Sequence, residues 1–165
     1  MIKKDLRGAF SLITAIVVIL ILSLVATYIF YLSGKITRET TSEYQQNQAI
    51  LLARSYTEYA ILAVMSADRN TSSHCVQQIK GDIGNPEIGQ GYRVEVDIKY
   101  IGTYNVLKKC PNNIILSKNV STQYTPLTIV VDVFVRYKDY NHPLINKNPS
   151  QVPWITYHKR SLQKI

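Results

Sequence analysis

The hydrophobic and polar positions of the chain change period twice along its length. From Phe10 to Ser33, FSLITAIVVILILSLVATYIFYLS, the run contains no ionisable side chain apart from Tyr28 and Tyr31. At about 1.5 Å rise per residue it is long enough to cross a hydrocarbon core of roughly 30 Å as one helix. Between Thr40 and Met65 the pattern becomes amphipathic. Gln45, Ala49, Leu52, Tyr56, Tyr59 and Ala63 recur at helical spacing, with Glu43, Gln46, Arg54 and Glu58 elsewhere on the surface. The helix is therefore predicted to continue, with a hinge at Gly34, to about Met65. A coiled-coil dimer is the structural competitor, but the apolar positions do not persist over the several heptads that it needs.

Beyond the helix the period falls to two. Tyr92, Val94, Val96, Ile98 and Tyr100 alternate with Arg93, Glu95, Asp97 and Lys99, which predicts a strand with its apolar face on the helix and its charged face in solvent. Leu127, Ile129, Val131, Val133 and Val135 share one face of a second, β-branched run and predict a central strand. Residues 81–91, GDIGNPEIGQG, have a breaker composition, and 139–153, with Pro143, Pro149 and Pro153, read as a loop. A short apolar piece at 113–116 and a last strand over 152–160, before a frayed basic end, complete the pattern. The sum is an α+β fold in which a long helix covers one face of a small antiparallel sheet. The divisions are a basic leader (1–9), a transmembrane helix (10–33), its amphipathic extension (34–66) and a sheet domain (67–165).

Charge refines this picture at the N-terminus. Of the formal net charge of +8, Lys3, Lys4 and Arg7 outweigh Asp5 ahead of the apolar run, the bias that holds a segment in the cytoplasm. The domain after the helix is then expected outside an inner membrane, with Tyr28 and Tyr31 at the outer interface. The remaining cations are scattered, without a dense block or a reading helix, which argues against direct nucleic-acid binding. Cys75 and Cys110 are the only thiols and both lie after the helix, so an oxidising compartment pairs them. A metal site would need more ligands than Cys75 and its neighbour His74 supply.

A secretory signal peptide has a shorter apolar stretch, of about 7 to 15 residues, followed by a small-residue cleavage site. Here the run is longer and is followed by Gly34-Lys35-Ile36-Thr37-Arg38. The order Arg7-Gly8-Ala9-Phe10-Ser11-Leu12-Ile13-Thr14, leading into Ala15-Ile16-Val17-Val18, resembles the type IV prepilin and type II secretion pseudopilin family. In that family a short basic leader ending in glycine, or less often alanine, precedes phenylalanine, a small hydroxyl residue, leucine, isoleucine and usually glutamate. The resemblance covers the first quarter of the chain.

What the resemblance implies is cleavage by an inner-membrane prepilin peptidase and methylation of the new amine of Phe10. Gly8 lies one place early with Ala9 at the presumed cut, so cleavage either accepts alanine or falls after Gly8 and leaves Ala9 first. Thr14 stands where the family usually has a glutamate that pairs with a neighbouring subunit's amine. A threonine cannot neutralise a buried ammonium, which argues against a homopolymer and for a minor or tip subunit. The bland reading of Thr14 is an ordinary threonine in a membrane helix.

The resemblance implies other pilin-like subunits and inner-membrane lipid as partners, with nucleic acid involved only indirectly, in a DNA-uptake machine. Type II secretion, type IV pilus and competence assemblies stay open. The alternative is an uncleaved single-pass inner-membrane protein with a periplasmic partner-binding domain, and the third reading is a tethered enzyme. No catalytic constellation supports the third. His74, His142 and His158 lie far apart with no nucleophile motif, and Glu95 and Asp97 interleave with Arg93 and Lys99 as solvated cross-strand pairs do. No cofactor is expected. Asp68-Arg69-Asn70-Thr71-Ser72 looks like an acidic-extended acceptor for bacterial N-glycosylation, which makes Asn70 a candidate. Asn119-Val120-Ser121 fits only the shorter pattern.

Overall fold

A computed structural model describes the backbone of residues 5–67, 75–120 and 127–165, and side chains from Leu12 onward within those ranges. Asn70, His74 and Ser121 lie outside the described residues. The chain forms two compact units, Met1–Thr41 and Ser42–Ile165. One helix, α1 (Asp5–Ser66), supplies the first unit and the opening of the second. Its helical assignment is unbroken at Gly34, where a hinge is expected from sequence. A single glycine costs about 1 kcal/mol against alanine in a helix interior, which does not by itself break a helix of this length.

In the second unit, α1 packs on a sheet of β1 (Gln78–Asn85), β2 (Gln90–Gly102), β3 (Ile115–Ser117), β4 (Leu127–Lys138) and β5 (Trp154–Lys164). The order is β1-β2-β4-β5, all antiparallel. The short β3 instead pairs parallel with β2, at Tyr100 and Ile101, on the edge that β1 leaves uncovered. The fold is α+β, as the change of period predicts.

The alternation in β2 and β4 is realised residue by residue. Val94, Val96, Ile98 and Tyr100 of β2 lie beside Val135, Val133, Val131 and Ile129 of β4, all buried under the helix. On the opposite face Glu95 meets Lys80 at 3.3 Å and Arg136 at 3.4 Å, while Gln78 donates to Glu95 and Asp97. Glu95 thus makes cross-strand charge pairs, whereas the side-chain bond to Asp97 comes from the neutral amide of Gln78.

The helix meets the sheet on a different stripe from the one its large residues indicate. Gln45, Ala49, Ala53, Thr57, Ala60 and Val64 are buried, whereas Leu52, Tyr56 and Ala63 sit at the margin and Tyr59 is exposed. The reason is size. Close approach of a helix to a valine-rich sheet requires small side chains at the line of contact, and bulkier ones are displaced to its flanks.

The glycine-rich stretch 81–91 differs most from expectation, because β1 begins before it and continues to Asn85. Pairing from Gln78↔Asp97 to Asn85↔Gln90 turns most of the breaker sequence into a hairpin. The turn is a 3-10 segment at Pro86–Ile88 capped by Gly89 at φ 77°, a left-handed conformation that favours glycine. A Cβ on Gly91 would lie 2.2 Å from the Ile83 carbonyl oxygen, so the close strand approach also demands glycine there.

The 139–153 segment is irregular apart from a 3-10 turn at Pro149–Gln151. The piece around 113–116 becomes a 3-10 turn (Asn112–Ile114) followed by β3. The last strand runs to Lys164 instead of fraying after 160, held by a ladder to β4 that reaches Thr128↔Lys164. Cys75 and Cys110 form a disulfide, and Cys110 follows the four-residue helix α2 (Tyr104–Leu107).

Two outcomes follow from this packing. Ala60→Leu should overpack the line of contact and lower the unfolding free energy by about 1–3 kcal/mol, read from urea unfolding in detergent. Reduction of the bridge, whose cysteines are 35 residues apart, should cost up to about 4 kcal/mol in the chain-entropy account, with the same transition measured with and without reductant.

Candidate functional site

The largest feature that the internal packing leaves unexplained is the surface of α1 in the first unit. From Leu12 to Ile36 its apolar side chains are exposed all round, with Leu24 at 72% and Phe30 at 78%. One helix is long and apolar enough to cross a membrane, near the N-terminus. Several of its hydroxyls are tied back to their own helix: Ser23 Oγ donates to the Ile19 carbonyl at 2.8 Å, and Thr27 Oγ1 donates to that of Ser23. Thr37, Thr40 and Thr41 repeat this bond at 2.9 Å each. Such i−4 bonds remove the cost of placing a hydroxyl among apolar groups. An exposed Lys35–Glu39 pair at 3.8 Å follows the apolar stretch.

Gly8, Ala9 and Phe10 lie on the helical backbone of α1, and Thr14 lies on the same helix with its residue exposed. In the second unit the face of α1 turned away from the sheet carries Tyr44, Leu51, Leu62 and Met65, each exposed. At 100° per residue these fall within a narrow sector opposite the buried stripe.

Two polar clusters escape the sequence pattern. Lys138, at the end of β4, is 2% exposed. Its ammonium donates to the carbonyls of Glu87 (3.0 Å) and Pro149 (2.9 Å), meets the Glu87 carboxylate at 3.3 Å and lies 4.6 Å from the centroid of Trp154. Lys138 thereby ties the β1–β2 turn to the proline loop. Gln45 completes this end. Its Nε2 donates to the Lys138 carbonyl at 3.2 Å, its Oε1 accepts from the Tyr140 amide at 3.3 Å, and its own carbonyl accepts from the Tyr92 phenol at 3.2 Å. Burial, with Tyr137 alongside, pushes the Tyr92 phenol above its ordinary value, so it stays a donor.

The second cluster lies on the outer face of the sheet. Asp132, 4% exposed, receives Arg160 through two bonds of 2.7 and 2.9 Å and His158 Nε2 at 2.8 Å. The His158 ring stacks on Phe134 at 4.4 Å. The Arg160 hydrogen bonds, opposed by burial and reinforced by His158, hold the Asp132 carboxyl below its ordinary 3.8. The available signal was the alternation itself, which puts Asp132, Phe134, His158 and Arg160 on one face once β4 and β5 are paired. Among the described residues no group of three His, Cys, Asp or Glu could hold a metal ion. The Asp132 group has no nucleophile in it and works as a cross-strand clamp.

Because the folded carboxyl of Asp132 is depressed, its stabilisation is present above the ordinary carboxylate range and is lost as pH falls through the lower, folded value. Unfolding free energy should hold level above about pH 5 and fall below about pH 4. In Asp132→Asn it should be lower by roughly 1–2 kcal/mol at neutral pH, a figure discounted because Arg160 is largely exposed, with a shallower acid decline. Urea titrations across pH check both.

No family model, curated protein or solved structure matches the chain.

Proposed function

We propose that this chain is a prepilin-like minor subunit, anchored in a bacterial inner membrane and assembled with other pilin-like subunits into a pilus or pseudopilus. The observation that carries the reading is the uncovered apolar surface of α1 from Leu12 to Ile36, on a chain that enters it through Gly8-Ala9-Phe10-Ser11-Leu12-Ile13. Side chains of this kind are stable in lipid or against other apolar helices, and exchanging one environment for the other is what insertion followed by assembly requires. The exposed Tyr44, Leu51, Leu62 and Met65 support the same reading, since they offer the soluble part of the helix an apolar line for a neighbouring helix.

In this reading the leader stays cytoplasmic and the sheet unit lies in the periplasm, where the Cys75–Cys110 bridge is favoured. Thr14 supports a tip or minor position in this reading, because it offers no carboxylate to pair with a buried amine. The protein acts by assembly and not by catalysis.

Mass spectrometry of the protein recovered from membranes should show a mature N-terminus at Phe10, free or methylated, or at Ala9. An intact Met1 leader in the membrane fraction would overturn processing and leave a single-pass anchored protein. Thr14→Glu should leave incorporation into the assembly unchanged; a wild type that fails to assemble until the glutamate is supplied would refute the tip position.

A further inference from the structure

We infer that one end of the sheet unit, built from the β1–β2 turn and the 139–153 loop, is a membrane-interface surface that seats among lipid headgroups through Tyr140 and Trp154. The inference rests on the reading of α1 as a membrane helix. Its uncovered apolar stretch ends at Ile36, and the second unit begins at Ser42 on the same unbroken helix. The path between them rises about 9 Å as helix, and would reach no more than about 22 Å if extended. Chain length alone therefore keeps the entry to the second unit close to the end of the apolar stretch, whatever the angle between the units.

Which elements stand at that entry is fixed inside the second unit. Gln45, just beyond Ser42, donates to the Lys138 carbonyl, accepts from the Tyr140 amide, and offers its own carbonyl to the Tyr92 phenol. Lys138 in turn donates to the carbonyls of Glu87 in the turn and Pro149 in the loop. The turn, the loop and the start of β5 are thus held at the end where the helix enters. The opposite end, at Val64, lies about 29 Å further along the helix axis, out of reach of the same lipid.

The side chains at the entry suit headgroups. Ile83, Ile88, Tyr140 and Trp154 are exposed there, the tyrosine to 50%. Single exposed apolar residues need no explanation by themselves, and it is their place at the tethered end that assigns the occupant. Tyrosine and tryptophan favour the interface because the ring is buried while its polar atom meets water or headgroups. Charge does not oppose the contact. Asp82 is paired with Arg93, and Glu87 with both Arg93 and Lys138, while the Asp139 carboxylate accepts from the Asn141 amide. Lys147, exposed on the loop, adds a cation for lipid phosphate. The buried Lys138 ammonium already locks turn to loop, so the surface is formed before it meets lipid.

Trp154 is the only tryptophan of the chain, so its fluorescence reports on this end alone. The full chain, with its disulfide intact, is reconstituted into phosphatidylethanolamine–phosphatidylglycerol vesicles with and without lipid brominated close to the glycerol. Bromine at that depth should lower the Trp154 emission about twofold, as contact with the interface requires. A double substitution, Ile88→Ser with Tyr140→Ser, keeps the main-chain bonds to Gln45 and Lys138 and should remove most of the quenching while the chain remains in the vesicles. Flotation separates the two ways of failing. A chain that does not float with the vesicles overturns the membrane reading and this surface with it. A chain that floats with Trp154 unquenched, or with quenching unchanged by the double substitution, overturns the interfacial surface alone.

Discussion

The contact between the small residues of α1 and the valine face of β2 and β4 is the constraint on which the second unit depends. Ala49, Ala53 and Ala60 are fully buried against a face built from Val94, Val96, Val131, Val133 and Val135. Alanine adds little side-chain volume and loses no rotamer entropy, so the apolar burial comes mainly from the sheet. Close approach fixes the rest. Tyr56 is pushed to the margin over Gly81, where an added Cβ would require its phenol to shift.

The two ends of that contact are closed by different chemistry. At one end Gln45 and Lys138 use hydrogen bonds and a buried ammonium to hold the helix, β4, the β1–β2 turn and the proline loop. At the other, Tyr100 donates to the Val76 carbonyl at 2.8 Å, close in sequence to Cys75 and its bridge to Cys110. Polar bonding specifies geometry at the first, because a buried ammonium without its acceptors is strongly unfavourable. A covalent link limits the unfolded chain at the second.

The parts of this fold that were legible in sequence are those written as a period. The apolar run of α1, the alternation in β2 and the β-branched density of β4 each express a local rule. What was not legible depends on distance. The breaker-rich 81–91 becomes a hairpin because partners on β2 outweigh its composition, the contact stripe of α1 follows from the sheet's need for small residues, and Asp132 finds Arg160 only after β4 and β5 pair. Lys138 gave no signal, since a lysine at a strand end reads as solvated until a turn and a loop fold over it. At the N-terminus, Gly8, Ala9, Phe10 and Thr14 are legible as a resemblance, and their helical placement adds no chemistry to it.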